Sequence, residues 1–196
     1  PKNLLSPTIT DQLKKQVTKS KVIGIAQKDR ASILPAGHIA DAAYWLDSKT
    51  GQFMTSTWYL KDLPAWVVGF NSNGMARKLV HKVWKPLLPM DQYTASTADD
   101  SPYEGTFAEG EKPTFPYDLQ KYAKGGFDMI KQTPFGNTLT AAFAKKAVEA
   151  EQLGADNHTD FLAVSFSSTD YVGHRFGPYA VETEDTYLRL DRDLAD

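Results

Sequence analysis

Asp170 and His174 stand four residues apart in the run Ser167-Ser-Thr-Asp-Tyr-Val-Gly-His174. A carboxylate and an imidazole are ligands that a divalent metal accepts together, zinc readily so. The same two residues also suit a capped turn, with His174 hydrogen-bonded at the surface. A second charged pair, Lys28 and Arg30, follows the apolar run Val22-Ile-Gly-Ile-Ala26. If the chain stays extended there, positions 28 and 30 project to one face and Asp29 to the other. Two cations would then point one way near a strand's end. The alternative is an ordinary solvated Lys-Asp-Arg turn.

The elements around them position these side chains. Phe161-Leu-Ala-Val-Ser-Phe166 is short, apolar and bounded by turn residues, which predicts a buried strand ending near Ser168. Asp170 and His174 then fall on a loop at the strand's C-terminal end, where open α/β sheets place their sites. Gly173 would let that loop turn tightly. Val22–Ala26 reads as an internal strand, apolar on both faces. A helix is expected from Ser6 as N-cap, with Pro7 at its first position, to about Lys19. Ile33 to His38 reads as a loop set by Pro35 and Gly37. Ala42 to Asp47 and Gln52 to Tyr59 form a hairpin through Ser48-Lys-Thr-Gly51. Pro64 opens a short helix, and Gly74 to His81 gives another.

From Met90 to Asp118 the pattern disappears. Pro102, Gly105, Gly110, Pro113 and Pro116 punctuate a long irregular segment, read as a surface excursion. Asn137 or Thr138 caps the clearest helix, with Leu139, Phe143, Ala147, Ala150 and Leu153 as its buried stripe and Gly154 as its stop. Val181 to Asp196 reads as a further helix with Tyr187, Leu190 and Leu194 on one face. Helix, strand and helix in this order make an α/β unit. The aromatics Tyr44, Trp45, Trp58, Tyr59 and Trp66 are expected to pack as a core patch. Of the other histidines, His38 reads as loop-stabilising, and His81 and His158 as solvated.

The chain has 196 residues, 41% hydrophobic and 23% charged, which suits one domain with a sizeable core. A net charge of −2 leaves no nucleic-acid footprint, and no apolar run is long enough to span a bilayer. The absence of cysteine excludes disulfides and thiolate zinc sites. Pro1 is no natural start, and the last helix carries no stop signal, so the chain reads as an internal fragment.

Ser167–His174, followed by Phe176-Gly-Pro178 and Glu184-Asp-Thr-Tyr-Leu-Arg-Leu-Asp191, resembles the alkaline phosphatase superfamily. The resemblance is closest to bacterial alkaline phosphatases with a threonine nucleophile, relatives of the nucleotide pyrophosphatase/phosphodiesterases. Lys28-Asp-Arg-Ala-Ser-Ile-Leu-Pro-Ala-Gly-His38, Ala40-Asp-Ala-Ala-Tyr-Trp45 and Thr55-Ser-Thr57 agree with it independently. It runs from about Leu5 to the end and is weakest between Met90 and Pro116.

The resemblance implies an α/β fold, a fragment of a sheet-and-helix sandwich with an inserted β-hairpin region. It implies two zinc ions about 4 Å apart, with Asp170 and His174 as two ligands of one. It places Lys28 and Arg30 on the phosphoryl oxygens. The nucleophilic Thr and the remaining ligands match positions outside the chain, and Thr55, Thr57 and Thr169 do not fit the nucleophile motif. The implied substrate is a small phosphate monoester and the implied compartment the periplasm. A phosphodiesterase of the same superfamily and a non-catalytic α/β binding domain stand as alternatives.

Overall fold

The computed structural model describes residues 3–123 and 125–196. Their contacts cluster into two units, one of residues 3–47, 51–73 and 142–166, the other of residues 48–50, 74–123, 125–141 and 167–196.

The first unit is built on a four-stranded sheet of order β3 (Gln52–Met54), β2 (Ala42–Asp47), β1 (Val22–Ala26) and β6 (Phe161–Ser165). β1 is buried throughout, as a strand apolar on both faces must be. It pairs in parallel with β2 and β6. β3 returns antiparallel on β2, so the expected hairpin is present, with a second arm shorter than Gln52 to Tyr59. α1 (Ile9–Gln16) is capped by Thr8 rather than Ser6, because Thr8 and Asp11 close a reciprocal capping box. α2 spans Asp29–Ala36 and α3 spans Ala65–Ser72. The helical stretch takes in Ile33 to Ala36, expected as loop; only Gly37, at φ 86°, and His38 of that expected loop lie outside it.

α2 lies hard against β1. A Cβ on Gly24 would come within 2.2 Å of the Ser32 carbonyl oxygen. The aromatic patch is a core, as expected for Tyr44 and Trp66. Both surround Phe143, which stacks on Phe53 at 3.8 Å between centroids. Trp58 departs from it, being mostly exposed while its indole N–H donates to the His38 carbonyl. β6 also departs from expectation. It is an edge strand among the described residues and only partly buried.

The second unit holds the two-stranded sheet of β4 (Val83–Trp84) and β5 (Tyr117–Asp118), with α4 (Met75–Val80) and α5 (Asp128–Lys131). α6 (Phe135–Glu151) begins before the expected caps Asn137 and Thr138. Leu139, Phe143 and Ala147 are buried, whereas Ala150 is exposed and Leu153 half-buried. α7 is Ser168–Phe176 and α8 is Val181–Ala195.

α8 buries Glu182, Thr183, Asp185 and Thr186, while Tyr187 and Leu194 are exposed. Its inward face is polar and hydrogen-bonded rather than the apolar stripe expected. The carboxylate of Asp185 accepts from the Trp84 indole (2.6 Å), the Leu87 N–H (2.7 Å), the Tyr93 hydroxyl (2.5 Å) and the Arg189 guanidinium (2.6 Å). Among the described residues no helix is long and apolar enough to cross a membrane.

Candidate active site

Asp170 and His174 lie on a helix, not on the expected loop. α7 starts as soon as β6 and a two-residue link end, with the Ser168 N–H donating to the Asn137 side-chain oxygen at 3.0 Å. Ser168, Val172 and Phe176 form its buried face. Gly173 sits within the helix, with open space where a Cβ would be, so it is not there to turn a loop. The turning is done by Gly177, at φ 104°, whose N–H closes on the Gly173 carbonyl.

The helix brings the pair together by its own periodicity. Positions i and i+4 share a face, and Asp170 Oδ1 lies 3.2 Å from His174 Nε2. The two side chains are 52% and 80% exposed. Carboxylate and imidazole one helical turn apart are a chelating half-set for a borderline cation such as zinc. Among the described residues no group of three or more His, Cys, Asp or Glu converges as a metal site.

Lys28 and Arg30 are also placed differently from the extended geometry. Lys28 is extended, at φ −106°, but it is the N-cap of α2, and Asp29 and Arg30 already belong to the first turn. Alternation along a strand therefore does not apply to them. Helix starts here because Ser32 closes back on its first turn, its hydroxyl donating to the Asp29 carbonyl at 2.8 Å. The Arg30 N–H donates to its neighbour's carboxylate, Asp29 Oδ1, at 2.7 Å. Lys28 is half-buried and Arg30 exposed. Lys28 and Arg30 thus flank Asp29 at the N-terminus of a helix that follows a parallel strand, and the Asp29 carboxylate itself takes one of the first-turn N–H groups, as an anion there is favoured to do.

His38 is structural, as the sequence suggested. Its Nδ1 pairs with Asp11 at 2.9 Å and its Nε2 with the Leu4 carbonyl at 2.8 Å. Asp11 also accepts the N–H groups of Thr8, His38 and Ile39. Burial pushes the Asp11 carboxyl upward, but these donors outweigh it and hold it well below the usual carboxylate range. Thr55 spends its hydroxyl on the Ala43 carbonyl at 2.7 Å.

The sequence reading missed a buried acid. Glu182 is fully buried, accepts the Tyr117 hydroxyl, and has its carboxyl pushed up to about 7 by burial, with the charges of Asp99 and Glu104 adding to the effect. The polar spacing Glu182, Asp185, Thr186, Arg189 on one helical face was its available signal.

A four-stranded sheet with three parallel strands and one antiparallel strand, followed along the chain by helices, is a mixed α/β fold. The family model of type I phosphodiesterase / nucleotide pyrophosphatase matches residues 2–196, and the chain belongs to that family. Over its whole length it is 53% identical to alkaline phosphatase PafA of Elizabethkingia meningoseptica and 51% identical to alkaline phosphatase PhoV of Synechococcus elongatus. It is 60% identical to a Myroides odoratus protein named calcium-transporting ATPase. The chain spans 36% of the length of each of these three.

The crystal structure of PafA superposes on the whole chain with a TM-score of 0.96 at 52% identity, the chain covering 38% of it. A PafA variant with substitutions at a threonine, an asparagine and a lysine and arginine two positions apart superposes equally. The α/β fold is thus that of an alkaline phosphatase of this family.

Proposed function

We propose that the chain is part of a longer zinc-dependent phosphatase that hydrolyses phosphate monoesters through a phosphothreonine intermediate. The observation that carries this reading is the Asp170–His174 pair, 3.2 Å apart and exposed on one face of α7. Identity of 51–53% to two alkaline phosphatases over the whole chain supports it.

Asp170 and His174 fit zinc in donor type, spacing and access, and would be two of its ligands. Zinc, when bound, supplies a Lewis acid for a phosphoryl group. Lys28 and Arg30 would hold the non-bridging phosphoryl oxygens, Arg30 by two N–H groups at once and Lys28 as a point charge. The substituted lysine and arginine in the PafA variant share this residue pair and its spacing. The remaining ligands and the nucleophilic threonine would come from outside residues 1–196, so this chain by itself should show negligible turnover. A periplasmic location and a small phosphate monoester as substrate follow from the same kinship.

The phosphodiesterase in the family's description favours a second reading, diester hydrolysis. Turnover of 4-nitrophenyl phosphate and bis(4-nitrophenyl) phosphate by the full-length protein decides between them. A large preference for the monoester is expected. A preference for the diester would replace the first reading by the second.

A further inference from the structure

α7 carries a second pair one position along from the first, Tyr171 and Arg175, also one helical turn apart. Arg175 is committed to holding other segments of its unit in place. Its Nε donates to Gln132 Oε1 at 2.6 Å and its Nη1 to the Thr106 carbonyl at 2.5 Å. Its guanidinium lies over the Phe107 ring, 5.1 Å from the centroid. Its own carbonyl accepts the Gly105 N–H at 2.9 Å. Gly105 has to be glycine for this approach, since a Cβ would stand 2.5 Å from that carbonyl oxygen. The stretch Gly105–Phe107 is therefore fixed against α7 on both sides of one residue.

That fixing makes a wall. Gly105, Gln132, Tyr171, His174 and Arg175 line one open pocket of about 410 Å³. A pocket of this size can take a ring-sized group. None of its lining residues is a carboxylate. The lining offers an aromatic ring, an amide and a guanidinium, and it includes His174 itself. The segment between Met90 and Asp118, read from sequence as a surface excursion, thus supplies part of a wall beside a proposed metal ligand.

We propose that this pocket receives the alcohol portion of the ester, that it favours aryl over small alkyl groups, and that Tyr171 is the specificity-determining residue. The proposal rests on the reading of His174 as a ligand at the phosphoryl site. A group held there would project its ester oxygen toward neighbouring surface, and the pocket adjoins His174 directly. An aromatic wall adds stacking and burial to an aryl group that a methyl group cannot collect.

The test compares Tyr171→Ala and Tyr171→Phe in the full-length protein. Turnover of phenyl phosphate and methyl phosphate is measured, together with binding of phenylphosphonate and of inorganic phosphate by calorimetry. Tyr171→Ala should lower kcat/KM for phenyl phosphate and the affinity for phenylphosphonate about tenfold, an effect of the size that one aromatic contact gives. Methyl phosphate turnover and phosphate affinity should change less than twofold, and Tyr171→Phe should keep most of the aryl preference. Equal losses on both esters, or a Phe variant as impaired as the Ala variant, would overturn the pocket while leaving the phosphoryl site standing. Phosphate binding that survives His174→Ala unchanged would instead overturn the site, and the pocket with it.

Discussion

Lys28 and Arg30 can be separated from the chemistry of the metal by charge. A monoester dianion carries one more negative charge than a diester, so cations at the non-bridging oxygens favour it. Alanine at either position in the full-length protein should lower monoester kcat/KM by about 100-fold, the scale of losing one positioned donor, and diester kcat/KM much less. Equal losses on both substrates would assign the pair a structural role. Glu182 gives a prediction about stability. Burial holds its native carboxyl at about 7 against an ordinary value of 4.5. A raised carboxyl makes its full contribution below the unfolded value and loses it as pH rises through the native value. Stability should therefore fall between pH 4.5 and about 7, by about 3 kcal/mol at most, and Glu182→Gln should flatten this slope in urea titrations. An unchanged slope in the variant would contradict the assignment. Residue types at 28, 30, 170 and 174 were legible in sequence because they stand in distinctive runs. Glu182 was not, because a buried acid on a helix looks like a solvated one until its neighbours are known.

At the scale of elements, α2 and α7 were both hidden, and for related reasons. Pro35 and Gly37 make Ile33–His38 look like a loop, and Gly173 with Gly177-Pro178 does the same for Asp170–His174. Local propensity lost to packing in each case: α2 lies against β1 at Gly24, and α7 buries Ser168, Val172 and Phe176. β1 was legible because five consecutive apolar or small residues fit only an internal parallel strand, and the β2–β3 hairpin because its turn residues mark it. β6 has the same apolar character, yet a strand's composition does not say whether both of its neighbours are present. The α2–β1 contact is directly testable. Gly24→Ala would place its Cβ 2.2 Å from the Ser32 oxygen and 2.9 Å from the Ala36 Cβ. It should destabilise by about 3 kcal/mol, the upper range for overpacking, seen as a lowered urea midpoint. Gly69→Ala, in α3 with nothing within 4 Å of the new Cβ, should be neutral or stabilise by up to about 1 kcal/mol. Similar midpoints for the two variants would mean that the close approach is not a constraint.

At the scale of the whole molecule, the order of predicted elements gave the α/β class, and two separated runs were enough to place the family. Of the proposed metal site, the sequence offers Asp170 and His174, the two residues that match the family's ligand motif. No third ligand converges on them among the described residues. The chain covers 36% of relatives that it matches from end to end, so a complete set has room to arise from the rest of such a protein. Removing either matched ligand should then strip one zinc ion without unfolding the chain. Metal analysis of the purified full-length protein and of its His174→Ala variant is the most direct measurement. The expected result is two zinc ions per wild-type chain, at least one fewer in the variant, unchanged circular dichroism and monoester turnover reduced by orders of magnitude. A variant that keeps both zinc ions and near-normal turnover would contradict the assignment of α7 to the metal site.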